Sequence, residues 1–116
     1  MLTDQQLNRI FSSMLAEALD LSVQRARRII DKAGIDLSAL QPEDYDRRPP
    51  LEAAARTSFS RMSGNDRYRA IRILINELAD PSLQQAEKIH NRLEELGFMY
   101  SEGEIVAINL LDTPET

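Results

Sequence analysis

The chain has no cysteine and only one histidine, His90, in its 116 residues. Without cysteine it can form no disulfide, no thiolate nucleophile and no cysteine-ligated zinc site, which is compatible with a reducing compartment. A single histidine offers no second imidazole for a metal, and no motif places an acid and a nucleophile beside it. The sequence therefore predicts a protein that is not an enzyme and that carries no catalytic residue, metal or cofactor.

Glycine and long apolar runs are also scarce. The only glycines are Gly34, Gly64, Gly97 and Gly103, and each stands at the end of a predicted element rather than in a phosphate-binding loop. No run approaches the roughly 18 apolar residues needed to cross a bilayer, and the opening "MLTDQQLNRIF" lacks a basic start followed by an apolar block. We therefore expect a cytoplasmic protein with no membrane partner.

Positive charge is scarce in one part of the chain. The net charge is −5, and all of the excess lies in residues 81–116, which carry seven acids against two bases. By contrast, the segment 22–33 contains a single acid, Asp31, among four bases. One face could therefore meet a polyanion, although the whole molecule would repel it at long range.

The apolar residues that are present recur mainly with a helical period. Stripes of this kind cover residues 3–19, 22–34, 51–62, 66–79 and 82–96, which predicts five amphipathic helices. Ser22 caps the second helix, Asn65 or Asp66 caps the fourth, and Asp80 before Pro81 starts the fifth. The intervening segment 35–50 contains three prolines and reads as a connector with one short turn from Ser38.

Near the end of the chain, aromatic and β-branched residues stand on both sides of "SEGE". This pattern predicts a hairpin that pairs residues 98–100 with residues 105–109 and lies against the helices, because an isolated hairpin is marginal in water. The predicted fold is thus all-α: a five-helix single domain with a small C-terminal β-hairpin over residues 1–111, followed by a flexible tail at 112–116.

The stretch "MLAEALDLSVQRARRIIDKAGI" resembles the helix-turn-helix of bacterial regulators. Ala16 supplies the small residue at the helix crossing, and "DLS" supplies the turn. The resemblance implies a DNA-reading second helix, with Gln24, Arg27 and Arg28 near base edges and Arg25 and Lys32 near phosphates, in a homodimer. An ordinary pair of packed helices with a solvated basic face explains the same pattern.

A second arginine group lies at the start of the predicted fourth helix. Arg67, Arg69 and Arg72 surround Tyr68, and arginine beside an aromatic residue is typical of protein or nucleic-acid contacts. Because Asp66 and Glu77 neutralise part of this charge, the sequence favours a solvated or partner-facing surface over RNA binding.

The segment "DRYRAIRILINELADPSLQQAEKIHNRLEELGFMYSEGEIVAI" resembles the helical N-terminal domains of bacterial abortive-infection and related anti-phage defence proteins. The matching positions are Pro81, Asn91, Leu93, Gly97 and Phe98. The resemblance implies a helical adaptor joined to an effector domain, with no chemistry of its own.

Two functions remain open from the sequence. The first is a protein-interaction or regulatory module whose partner is another protein or an effector domain of the same chain, contacted through the arginines of helices two and four. The second is a small helix-turn-helix regulator that binds DNA.

Overall fold

The computed structural model describes residues 2–108, which fold into five α-helices followed by a two-stranded antiparallel hairpin. The predicted fold class is therefore confirmed. The elements are, in chain order, α1 (Asp4–Leu21), α2 (Val23–Lys32), a 3-10 turn (Pro42–Asp44), α3 (Arg48–Ser60), α4 (Gly64–Leu78), α5 (Ala86–Glu95), β1 (Phe98–Ser101) and β2 (Glu104–Ala107). Asn109 and the predicted tail at 112–116 lie outside the described residues.

The long helix α1 is the centre of the domain and contacts α2, α4 and α5. Its start is fixed by a capping box, in which Thr3 accepts from the backbone of Gln6 and the Gln6 side chain accepts from the backbone of Thr3. Its apolar stripe is buried along the whole length. At one point the stripe meets α3, where the rings of Phe11 and Phe59 stack with centroids 3.9 Å apart. The helix thus places the other elements around one core.

Several helix starts differ from the predictions. α3 begins at Arg48, with proline in its first turn and no side-chain hydrogen bond at its cap. α4 is capped by the side chain of Ser63, two residues before the predicted Asn65. α5 begins at Ala86 instead of residue 82. The carboxylate of Asp80 accepts hydrogen bonds from the backbone and the hydroxyl of Ser82, and this local turn replaces the first predicted helical turn.

The hairpin closes through a two-residue turn, Glu102 and Gly103, both of which have positive φ angles. A turn of this kind matches the right-handed twist of two short antiparallel strands. The register pairs Ser101 with Glu104 and Phe98 with Ala107. Phe98, Ile105 and Ala107 are buried against the helices, so one face of the hairpin is part of the core.

Candidate functional site

The outer face of α2 carries the exposed residues of the first predicted site. Ala26, Ile29 and Ile30 are buried on the inner side, so the helical period turns Gln24, Arg25 and Arg28 toward solvent. Within residues 2–108 neither Arg25 nor Arg28 forms an ion pair. These two guanidinium groups are therefore available to a partner.

The other two bases of this helix are engaged within the domain. Lys32 lies 2.6 Å from the carboxylate of Glu77 on α4, and Arg27 lies 3.4 Å from the carboxylate of Asp46. The predicted set Gln24, Arg25, Arg27, Arg28 and Lys32 is thus divided. Lys32 joins α2 to α4, whereas the other four remain on one side of the domain.

Arg27 is also positioned over an aromatic ring that the sequence gave no reason to select. Its guanidinium carbon lies 5.1 Å from the ring centroid of Tyr45, a cation–π distance. Tyr45 is 41% exposed and is among the most exposed large hydrophobic residues of the described chain. Tyrosine and arginine are among the residue types that contribute most of the binding energy at protein interfaces.

Arg27 and Tyr45 border an open groove of about 540 Å³ beside the C-terminal half of α2. We call the groove and the exposed face of α2 together the α2 surface. It consists of Gln24, Arg25, Arg27, Arg28, Asp31, Asp36, Leu37, Ser38, Leu40 and Tyr45.

The charge of the groove is balanced. Arg27 and Arg28 are matched by Asp31 and Asp36 along its walls. A hydrogen bond from the backbone of Ser38 lowers the pKa of Asp36 below its ordinary value, with a smaller contribution from the Ser38 side chain. Asp36 is therefore an anion at neutral pH, and the one unmatched positive charge of the α2 surface is that of Arg25.

The arginines of α4 do not form a common surface, which corrects the interpretation of Arg67, Arg69 and Arg72 as one group. Arg67 is only 15% exposed and donates to the backbone carbonyls of Phe59 and Ser60 at the end of α3. Arg72 lies over the ring of Tyr68, with its Nε buried. Arg69 alone is exposed, and it pairs with Asp66 at 2.9 Å. Arg67 is therefore a structural residue that caps a neighbouring helix.

Tyr68 has a role that the sequence did not indicate. Its hydroxyl donates to a carboxylate oxygen of Glu104 at 2.8 Å and accepts from the backbone N–H of Ile105 at 3.0 Å. Both partners belong to β2, so Tyr68 attaches the hairpin to α4. Burial raises the pKa of Tyr68; the Ile105 hydrogen bond opposes this and the Glu104 carboxylate adds to it.

Glu17 is a second residue that sequence analysis overlooked. It is 7% exposed, and its two oxygens each lie 3.3 Å from a cation of α5, Lys88 and Arg92. A signal was available, because Glu17 follows Met14 by three residues and so falls on the buried side of the helical period. Glu17 and Arg92 also line an open groove of about 830 Å³ along α1, but their charges are already used in holding α1 to α5.

The junction between α1 and α2 differs from the predicted helix-turn-helix. Asp20 and Leu21 belong to α1, and Ser22 alone separates the two helices. Among residues 2–108 the only non-glycine residue with a positive φ angle is Glu102, so Asp20 is not the left-handed turn residue. Ala16 is exposed, whereas Ala18 and Ala26 are fully buried. The predicted "DLS" turn and the crossing at Ala16 are wrong, and DNA binding stays a prediction.

His90 is exposed on α5. Among residues 2–108, no helix combines the length and the apolar character that a membrane span requires.

Comparison of the chain with protein-family models, with curated proteins and with solved structures found no match. The resemblance of residues 66–108 to defence-protein domains therefore stays a prediction.

Proposed function

We propose that this domain is a non-enzymatic protein-interaction module that binds an acidic partner through the α2 surface. The observation that carries the proposal is the contact of the half-buried Arg27 with the exposed ring of Tyr45. This pair borders a groove next to Arg25 and Arg28, which form no ion pair with any described residue. A flat, rigid aromatic ring beside guanidinium groups loses little side-chain freedom on binding, and such residues are frequent interface hot spots.

The charge pattern supports a protein partner over a polyanion. Arg25 and Arg28 can form bidentate contacts with carboxylates, while Asp31 and Asp36 in the adjoining groove would repel a phosphate backbone. A mixed surface favours a partner that carries both acidic and apolar side chains. In this proposal the domain acts as an adaptor that recruits another protein or an effector domain, as the resemblance to defence proteins also implies.

The partner is represented in a first test by a fluorescein-labelled amphipathic peptide made only of Glu, Leu and Ala. Binding is measured by fluorescence anisotropy for the unmodified domain and for Arg25→Glu/Arg28→Glu. The matched control is Arg9→Glu/Arg69→Glu, which makes the same change in net charge at exposed residues on α1 and α4. The proposal requires that only the α2 variant loses binding while circular dichroism shows both variants folded.

A further inference from the structure

The charges of α2 stand in an order that its own helix dipole does not favour. The first turn of α2 contains Arg25 and no acid, and the last turn contains Asp31. Because a helix is positive at its N-terminus and negative at its C-terminus, acids are favoured in the first turn and bases in the last. The one base of the last turn, Lys32, is already bound to Glu77 of α4. Both ends of α2 would therefore gain from charge of the opposite sign supplied by a partner.

Arg28 and Asp31 form a free, oppositely charged pair of residues on the α2 surface. Both are exposed, and Asp31 follows Arg28 by three residues, so the two side chains share the outer face of the helix. They do not pair with each other, and neither forms an ion pair with any other residue in the part of the chain that the structure describes. At 1.5 Å per residue they lie about 4.5 Å apart along the helix axis. A surface with one free base and one free acid at this spacing is complementary to itself.

A second copy of α2, placed antiparallel to the first, satisfies both charges at once. In a pair related by a two-fold axis, the contact that one copy makes with the other is made again in reverse. With the axis between residues 28 and 31, Arg28 of each copy faces Asp31 of the other. The same arrangement brings Arg25 toward the C-terminal end of the opposite helix, where a cation is favoured.

The connector after α2 adds apolar contact beside these charges. The groove bordered by Arg28 and Asp31 is also lined by Leu37 and Tyr45, of which Tyr45 is 41% exposed. Because the groove is lined by two bases and two acids, it does not repel a second groove of the same composition. Contact between two copies would thus cover an exposed aromatic ring without leaving charge of one sign in excess.

We propose that two copies of this domain associate through their α2 surfaces as a two-fold symmetric dimer, held by the reciprocal pairs of Arg28 and Asp31. The dimer covers the surface that the proposed function assigns to an acidic partner, so the two compete; only this competition rests on the proposed function. The α2 surface has about half as many residues as one side of a standard interface, which has roughly 20–30. The dimer is therefore weak, with a dissociation constant on the order of 100 μM.

Sedimentation equilibrium of the domain without any peptide tests the dimer separately from peptide binding, so either can fail without the other. The unmodified domain should show a monomer–dimer equilibrium and no larger species, because a two-fold interface closes on itself. Arg28→Glu brings only acids to the contact, and Asp31→Lys brings only bases. Each variant alone should raise the dissociation constant by about tenfold or more.

An equimolar mixture of these two variants is the most specific test. Mixing places the acids of Arg28→Glu opposite the bases of Asp31→Lys, and should restore a dimer within about threefold of the unmodified affinity. The matched controls are Arg9→Glu and Glu87→Lys, the same charge changes at exposed residues of α1 and α5, which should dimerise like the unmodified domain. Circular dichroism checks that every variant is folded. Three results would overturn the proposal: a monomer at about 1 mM, single variants that dimerise undiminished, or a mixture that associates no better than its components.

Discussion

Glu17 of α1 and Arg92 of α5 are 75 residues apart in sequence, and their side chains meet at 3.3 Å. The carboxylate side chain is only 8% exposed, whereas Arg92 and Lys88, its two partners, are 43% and 59% exposed. Removal of the carboxylate leaves cations that water can solvate, but removal of both cations leaves a buried charge without a counterion. The two changes should therefore differ in their effect on stability.

We expect Glu17→Gln to lower the free energy of unfolding by about 1–2 kcal/mol, which allows for solvent screening of the two cations. Lys88→Gln/Arg92→Gln should lower it by about 1 kcal/mol more than that, since the carboxylate then stays buried and unpaired. Urea unfolding followed by circular dichroism measures both. Glu77→Gln, which breaks the more exposed pair with Lys32, is the control and should cost less than about 1 kcal/mol. Equal effects of all three would contradict the account.

Arg67 is predicted to act on stability and not on binding. Arg67→Gln removes the hydrogen bonds to the carbonyls of Phe59 and Ser60 and the ion pair with the exposed Asp4 at 3.2 Å. It should lower the free energy of unfolding by about 1–2 kcal/mol, mostly through the lost hydrogen bonds. Arg69→Gln, at an exposed ion pair, should change it by less than about 0.5 kcal/mol. Chemical denaturation of the two variants distinguishes them. An unchanged stability of Arg67→Gln would restore this residue as a candidate contact.

The turn of the hairpin should respond in opposite directions to two substitutions. Glu102 has a φ angle of 53°, which asparagine adopts more readily than glutamate, so Glu102→Asn should stabilise the domain by about 0.5 kcal/mol. Gly103 has a φ of +78°, and an added Cβ would lie 3.4 Å from the Arg72 guanidinium. Gly103→Ala should therefore destabilise by about 1 kcal/mol. Thermal unfolding of the pair tests this, and a stabilising Gly103→Ala would exclude the turn described above.

The attachment of the hairpin by Tyr68 should depend on pH. Because burial raises the pKa of Tyr68, the folded state favours the protonated hydroxyl, and its stabilisation is complete below the ordinary tyrosine pKa of about 10. The stabilisation is then lost as the pH rises through the folded-state pKa. Tyr68→Phe, which cannot ionise, should be less stable at neutral pH and should lose less stability as the pH rises above about 10. Urea unfolding of both proteins over this pH range measures the effect. An identical pH dependence of the free energy of unfolding in the two proteins would contradict the prediction.

The apolar period and the end signals of the sequence were sufficient to predict the five helices and the hairpin. They failed where a polar side chain chose between two local structures, as when Asp80 and Ser82 formed a turn in place of the first turn of α5. Ser22 likewise both ends α1 and caps α2, which leaves no residue for the predicted turn.

The candidate site was harder to predict because it depends on which arginines find partners in the folded chain. Arg25 and Arg28 follow from the outer face of an amphipathic helix. Arg67 does not, since its partners are backbone carbonyls of α3 whose position only the tertiary structure sets. Tyr45 lies in a connector without a period, and nothing in the sequence distinguished it from other polar surface residues.

The central claim, that the α2 surface binds protein, is tested most directly by comparing two labelled probes in one anisotropy experiment. The probes are the acidic amphipathic peptide and a mixed-sequence DNA duplex, each titrated with the domain at low and at physiological salt. The account predicts that the peptide binds at physiological salt, that Arg25→Glu/Arg28→Glu abolishes this binding, and that the duplex does not bind there. Duplex binding that falls steeply with salt and disappears in the same variant, without peptide binding, would contradict it and identify α2 as a DNA-contacting helix.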